Sequence, residues 1–312
     1  MRASIADLAP GDLVLAACSG GADSLALAAA LAFVAPRMGL RAGGVTVDHG
    51  LQDGSAERAE AVVAALTGLG LGTVHSIEVT VGEDGGPEAA ARTARYRALD
   101  RVAAETGAAA VLLGHTLDDQ AETVLLGLAR GSGARSLAGM PPRRGSYRRP
   151  LLGIRRERTG AACAALGLRP WQDPHNDDRR FARVRVRLDA LPALEAALGP
   201  GVTEALARTA TQLRADAELL EEICTERTRG CSSLSTSELA DLPAALRGRV
   251  LRSAAIGAGC PPGALSARHV RSLDELVTSW HGQRWVDLPG AVRATRRDGE
   301  VLFTGGVARG RE

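Results

Sequence analysis

The chain contains no lysine; all 38 of its basic residues are arginine. A Walker A loop needs a lysine, and so does a pyridoxal Schiff base, so both chemistries are excluded. A lysine-free sequence rich in Arg, Ala and Gly also fits GC-biased coding, and the arginine count alone says little about function. Aromatic residues make up only 3%, so the cores must be built from Ala, Leu and Val. The five cysteines (Cys18, Cys163, Cys224, Cys231, Cys260) are scattered and form no Cys-x-x-Cys pair. That disfavours a zinc knuckle, an iron–sulfur cluster or a redox pair. No apolar run reaches the ~20 residues that span a bilayer, and the N-terminus lacks a signal-peptide pattern. The expectation is a soluble, cytoplasmic protein with no membrane partner.

What is present is ordinary in amount and uneven in placement. A length of 312 residues suits about two domains, and 45% apolar with 24% charged residues suits packed cores. The net charge is only +2, yet Arg143–Arg187 carries 13 arginines against four acids (Glu157, Asp173, Asp177, Asp178). That block of +9 leaves the rest of the chain at −7. Such asymmetry points to a polyanionic partner; the plainer reading is a solvated arginine-rich surface.

Short apolar runs alternate with helical stretches through the first half. Leu13–Cys18, Gly44–Asp48, Thr73–Val79 and Ala110–His115 read as strands. Ser24–Val34, Ser55–Leu66 (with Ser55 as cap), Pro87–Thr106 and Leu117–Ala129 read as helices. This order predicts an α/β fold with a parallel sheet covered on both faces and a ligand site at the carboxyl ends of its strands. From Gly131 to Asp189 loops and short helices are expected. Val202–Glu226 reads as an amphipathic helix, with Val202, Leu206, Leu213, Leu220 and Ile223 on its apolar stripe. Beyond it, Leu242–Ile256 and Ser266–Trp280 look helical, and Arg284–Leu288, Val292–Arg296 and Glu300–Phe303 look like short strands. The domains expected are 1–195, a linker helix at 196–230, and a small α+β domain at 231–312.

The string SGGADS (Ser19, Gly20, Gly21, Ala22, Asp23, Ser24) lies between the first strand and the first helix. Glycines allow close backbone approach, and free N–H groups at a helix start face an anion. Ser19 and Ser24 add hydroxyls. Asp23 is out of place beside phosphate unless a Mg²⁺ ion sits between them. The plainer reading is a tight glycine turn capped by serine.

The full string resembles the signature loop of the N-type ATP pyrophosphatases, a Rossmann-like family that cleaves ATP between its α- and β-phosphates. VDHGLQ (Val47–Gln52), ARY (Ala94–Tyr96), GHTLDDQAET (Gly114–Thr123), RGSGARSLAGM (Arg130–Met140), RRPLL (Arg148–Leu152) and WQDPHNDD (Trp171–Asp178) narrow the resemblance, in order and spacing, to the tRNA(Ile)-lysidine synthetase family. The tail Trp285–Phe303 resembles that family's substrate-binding domain more weakly. One departure is Val184, where the family carries asparagine.

The resemblance implies a ligase acting on cytidine 34 of a tRNA(Ile) with a CAU anticodon. ATP adenylates the base, free lysine attacks it, and lysidine forms with release of pyrophosphate and AMP. It implies ATP as substrate, Mg²⁺ on Asp23, Asp119 and Glu122 in lysine recognition or activation, and tRNA contacts in the C-terminal domain. A second copy of the chain, as a homodimer, is a further candidate partner.

Residue chemistry alone leaves alternatives open. Asp119 and Glu122 share a helical face, but acids in a first turn also favour the macrodipole. His49 and His115 lie at strand ends, facing nucleotide or merely packing a turn. Arg95 is read as a catalytic arginine neutralising phosphate or holding a carboxylate, against a helix-surface arginine. Arg183, Arg185 and Arg187 alternate as an extended segment would present them along one face to phosphates of AMP or tRNA, and Arg149 is also read as tRNA-binding. Trp171 is read as a core anchor before a stacking platform. A tRNA thiolase, an amidotransferase-type ligase and a non-catalytic RNA-binding module are the other readings; the first lacks suitable cysteines and the second leaves the arginine block unexplained.

Overall fold

The computed structural model describes residues 1–50, 54–80, 82, 87–131, 133–229 and 233–305, with the side chains of residues 87–89 excepted. Leu51 and Gln52 of VDHGLQ, Ser132 of RGSGARSLAGM, and Cys231 lie outside the described residues. The chain divides into two compact units, Met1–Arg214 and Ala215–Glu312.

The first unit runs β1 (Leu13–Ala17), α1 (Ala22–Val34), β2 (Arg41–Asp48), α2 (Ser55–Gly68), β3 (Thr73–Glu78), α3 (Pro87–Thr106), β4 (Ala110–Leu113) and α4 (Leu117–Ala129). It continues with α5 (Ala134–Leu137), the hairpin β5 (Arg143–Arg144) and β6 (Tyr147–Arg148), α6 (Arg156–Ala165), α7 (Ala182–Arg185), α8 (Leu191–Leu198) and the start of α9 (Val202–Thr228). The sheet order is β3-β2-β1-β4-β6-β5. All pairings are parallel except β5 with β6.

Strand periodicity divides the core into two faces. Val14 and Ala16 point into a cluster with Leu27, Leu31, Leu66 and Cys163, contributed by α1, α2 and α6. Leu13, Leu15 and Ala17 point the other way, against Leu99 and Val102 of α3. Every residue of β1 and β4 is buried, as a sheet covered on both sides requires. Gly44 of β2 lets α2 close on the sheet, because a Cβ there would lie 2.7 Å from the Leu66 Cδ1 atom.

Several expectations need correction. Ser55 is not the cap of α2; Gly54 is, with φ +72°, and the Ser55 hydroxyl instead donates to Asp48 (3.2 Å). Arg183–Arg187 is not extended. Arg183 and Arg185 lie in α7, which passes through a π-helical turn at Val186–Ala190 into α8. Buried Val184 and Leu191 stand seven residues apart, two helical turns, and that spacing outweighs the Arg-Val alternation. On α9 the buried stripe is Thr203, Ala207, Ala210, Ala217 and Cys224, and the expected leucines lie beside it, half-buried. Those positions fall at i, i+4, i+7, i+14 and i+21, so small residues occupy the innermost line.

The second unit holds β7 (Ser233–Ser235), α10 (Thr236–Asp241), α11 (Ala244–Gly257), α12 (Ala267–Thr278), β8 (Val286–Leu288), β9 (Val292–Arg297) and β10 (Glu300–Gly305). Its antiparallel sheet, ordered β7-β10-β9-β8, packs around Leu251, Leu273, Leu276, Ala294 and Val301. Ser266 caps α12 in a capping box with His269.

Candidate functional site

The loop after β1 is held by its own serine. Ser24 Oγ accepts the Ser19 N–H (3.2 Å) and donates to the Gly21 carbonyl (2.9 Å). The one proton of that hydroxyl is therefore spent inside the loop. Gly20 adopts φ +84°, and a Cβ there would stand 2.9 Å from Val62 Cγ2. No side chain caps the start of α1 at Gly21, and Gly21, Ala22 and Asp23 at that start line the larger pocket, where uncapped first-turn N–H groups suit an anion.

Two adjoining pockets, about 200 and 800 Å³, open at the carboxyl ends of the strands. The smaller is lined by Val45–Gly50, Arg58, Val62 and His175; the larger by the loop, His115, Asp119, Arg156, Arg183 and Arg187. Arg95, from α3, and Trp171 line both. Arg95 makes no hydrogen bond or ion pair among the described residues, and burial works against its charge, with Arg92 adding repulsion. A desolvated, unpaired guanidinium between two pockets is a ready anion receptor. Trp171 is not the expected core anchor. It is half-buried over the loop, its backbone N–H donates to the Gly20 carbonyl (2.9 Å), and the Arg58 guanidinium stacks on its ring (4.6 Å).

His49 and His115 both reach the site, each with a buried, unpartnered Nδ1. Burial pushes His115 down to about 3, against the opposing pull of Asp119. His49 is pushed down by burial and by Arg95. Both are neutral imidazoles at pH 7.

Opposite the loop, α4 presents its acids. Thr116 caps the helix in a capping box with Asp119, whose Oδ2 accepts both the Thr116 N–H (2.8 Å) and its hydroxyl (2.9 Å). The other oxygen, Oδ1, accepts from Arg156 Nη2 (2.8 Å). Asp119 thus caps its own helix with one oxygen and turns the other to Arg156, which lines the larger pocket. Burial opposes its charge, but Arg156 and the Thr116 N–H hold its carboxyl below the usual range. Glu122 is fully buried and meets three arginines: Arg187 Nε at 2.8 Å, Arg183 Nε at 3.1 Å and Arg156 Nη1 at 3.3 Å. Asp23, on the loop, meets Arg156 Nε at 3.2 Å and accepts a hydrogen bond from Thr159. Burial pushes the Asp23 carboxyl up despite these partners.

Arg156 and Thr159 are the site residues that the sequence reading missed. Arg156 lies inside an arginine-rich run with no periodic signal, and only the fold brings it to three acids at once. Asp118 accepts the Arg156 backbone N–H (2.7 Å) and so fixes the first turn of α6. The expected tRNA-facing arginines separate. Arg149 is buried and donates to the Pro141 carbonyl (2.8 Å). Arg183 and Arg187 turn to Glu122, and Arg185 is exposed, donating to the Arg179 and Arg180 carbonyls. Val184, where the family carries asparagine, is buried and has no polar atom to satisfy.

A phosphate-type loop, an unpaired arginine and clustered acids at the strand ends define a PP-loop nucleotide-binding enzyme, and the PP-loop domain family matches residues 3–194. The TilS substrate binding domain matches residues 234–302. The tRNA(Ile)-lysidine synthase of Thermobifida fusca is 60% identical over 308 residues, covering 97% of this chain and 95% of that one. That of Streptomyces coelicolor is 57% identical, covering 94% and 86%. The chain belongs to the tRNA(Ile)-lysidine synthase family and is a ligase that forms a C–N bond. Among solved structures, the U34-tRNA thiolase NcsA from Methanococcus maripaludis with its [4Fe-4S] cluster matches with a TM-score of 0.58 at 22% identity, over 68% of this chain and 76% of that one. That likeness concerns the fold alone. Here the four described cysteines are buried and dispersed. No helix among the described residues is long and apolar enough to cross a membrane.

Proposed function

We propose that the chain ligates free lysine to C2 of cytidine 34 in the CAU anticodon of tRNA(Ile), at the expense of ATP. O2 of the cytosine bonds to the α-phosphorus while the bond to the bridging oxygen breaks and pyrophosphate leaves. The ε-nitrogen of lysine, having lost a proton, then bonds to C2; the C2–O2 bond breaks and AMP carries that oxygen away. The observation that carries this reading is that the SGGADS loop, unpaired Arg95 and Asp119 line one pocket, with Glu122 buried behind it and joined to its lining through Arg156, Arg183 and Arg187, in a chain of this family.

The free N–H groups at the start of α1 bind the β- and γ-phosphates and stabilise charge as pyrophosphate departs. Arg95 neutralises the α-phosphate. His49 lines the nucleotide pocket, and His115 stays neutral beside the reacting base. Asp119 and Glu122 hold the lysine amine and accept its proton. Among the described residues, no group of three or more His, Cys, Asp or Glu side chains is arranged to hold a metal. Mg²⁺ commonly uses one or two carboxylates plus phosphate oxygens, and Asp23, poorly solvated and facing the loop, fits that sparse donor set. Bound there with ATP, the ion supplies charge neutralisation of the leaving pyrophosphate.

Incubation with CAU tRNA(Ile), ATP and labelled lysine, followed by nucleoside mass analysis, tests the reaction. The expected product is one lysidine per tRNA, and a tRNA unchanged in mass would sink the reading. Glu122→Gln separates the roles within it. Removing one partner of a buried charge pair costs about 2–5 kcal/mol, so lysine use should weaken by orders of magnitude while an AMP–tRNA adduct accumulates. With lysine withheld, an adduct that forms with wild type but not with Glu122→Gln would mean that Glu122 serves adenylation instead.

A further inference from the structure

We propose that Arg156 occupies the seat of the lysine ε-ammonium on Asp119 and Glu122, and that an anion at the phosphate loop must draw it away before lysine can enter. The inference rests on the reading that those two acids hold the lysine amine.

The charges leave little room for a further cation. Asp23, Asp119 and Glu122 face Arg156, Arg183 and Arg187, three against three. Both oxygens of Glu122 are engaged by arginine. Asp119 has one oxygen in its own helix cap and the other on Arg156. An incoming ammonium finds no free carboxylate oxygen on this pair, and a fourth cation in a poorly solvated cluster is repelled. One guanidinium has to leave.

Arg156 is the one built to move. Arg183 and Arg187 meet Glu122 but not Asp119. Among the described residues, Arg156 alone touches Asp119, Glu122 and the loop acid Asp23. Its backbone is pinned by Asp118, so the side chain can change partners without shifting α6. Its guanidinium lines the pocket together with Ser19, Gly21 and Asp23. Phosphate oxygens bound at the loop would offer it new acceptors on the Asp23 side. Nucleotide then opens the amine seat, and lysine follows adenylation instead of preceding it. Arg156 is a positioning residue on this account, acting through the acids it covers.

The test is calorimetric titration of lysine into the full-length protein, with and without α,β-methylene-ATP. Wild type should bind lysine about tenfold more tightly with the analogue, within the range usual for coupled sites. Arg156→Gln should bind lysine without the analogue about as tightly as wild type does with it. Its kcat should fall while its KM for lysine does not rise, a split that damage to the fold would not produce. Arg156→Lys keeps a cation in the seat and should retain the nucleotide dependence. Equal lysine affinity of wild type with and without the analogue overturns the proposal. So does a folded Arg156→Gln, by circular dichroism, that gains no affinity. If Arg156→Gln does not fold, Arg156→Lys decides: loss of nucleotide dependence in that variant overturns the idea. Asp119→Asn separates the underlying reading, because undiminished lysine binding in that variant places the amine elsewhere, whatever Arg156 does.

Discussion

At the scale of single residues, the site works by setting charge against burial. Glu122 is sunk completely and given three cations; Arg95 is desolvated and given none; His115 is desolvated and kept neutral. The last has a consequence for stability. An unfolded histidine protonates near 6.5, whereas folded His115 refuses the proton until about 3. Between those values the unfolded chain binds the extra proton, so its contribution to stability is complete above pH 6.5 and is lost as pH falls toward 3. His115→Gln removes that term. Denaturant melts of wild type and variant at pH 7, 6, 5 and 4 should diverge in slope by up to about 1.4 kcal/mol per pH unit, with the wild type the steeper. Parallel curves would mean that His115 titrates normally.

At the scale of elements, the end of β4 passes close to the phosphate loop. Gly114, just beyond β4, faces the first turn of α1. A Cβ there would lie 3.2 Å from the Asp23 carbonyl carbon and oxygen and from Ser24 Cα, all backbone atoms. Backbone cannot swing aside as a side chain does. Gly114→Ala should displace the loop, at a cost of about 1–3 kcal/mol, and raise the KM for ATP while lysine affinity changes less. Pyrophosphate exchange kinetics would register it, and unchanged ATP kinetics would show the loop to be compliant. The strands and helices up to Ala129 are legible in the sequence because β1 and β4, buried on both faces, are written as continuous apolar runs between helical stretches, although the cap expected at Ser55 falls on Gly54. The loop and the α4 acids are legible for the same reason, since both follow directly from strand ends. Arg156 is not, because its partners come from three separate segments and no local pattern connects them. Arg183–Arg187 misleads because arginine and valine alternate by accident of composition, while the buried spacing from Val184 to Leu191 is helical.

At the scale of the whole molecule, the arginine block divides its labour. Arg148 and Arg149 are buried, and Arg155, Arg156, Arg183 and Arg187 meet acids of α4 or α9. Arg143, Arg144, Arg158, Arg169, Arg179, Arg180 and Arg185 stay exposed. Those seven are the exposed part of the +9 block, with Arg143, Arg179 and Arg180 paired to Asp7, Asp189 and Asp178, and all lie in the first unit. The second unit has its own core, beginning at Cys224, whereas the cores of the first unit end at Cys163. A chain ending at Arg229 should therefore fold, melt cooperatively and bind ATP. Its affinity for tRNA(Ile) should drop about tenfold or more through lost contacts in the substrate-binding domain. Salt dependence separates this from a general loss, because the slope of log K against log salt counts phosphates neutralised. The fragment should bind more weakly yet keep most of the slope, since the exposed arginines remain. If the slope collapses along with the affinity, the phosphate contacts belong to residues 230–312. If the fragment does not fold, the helix Val202–Thr228 is part of one shared core.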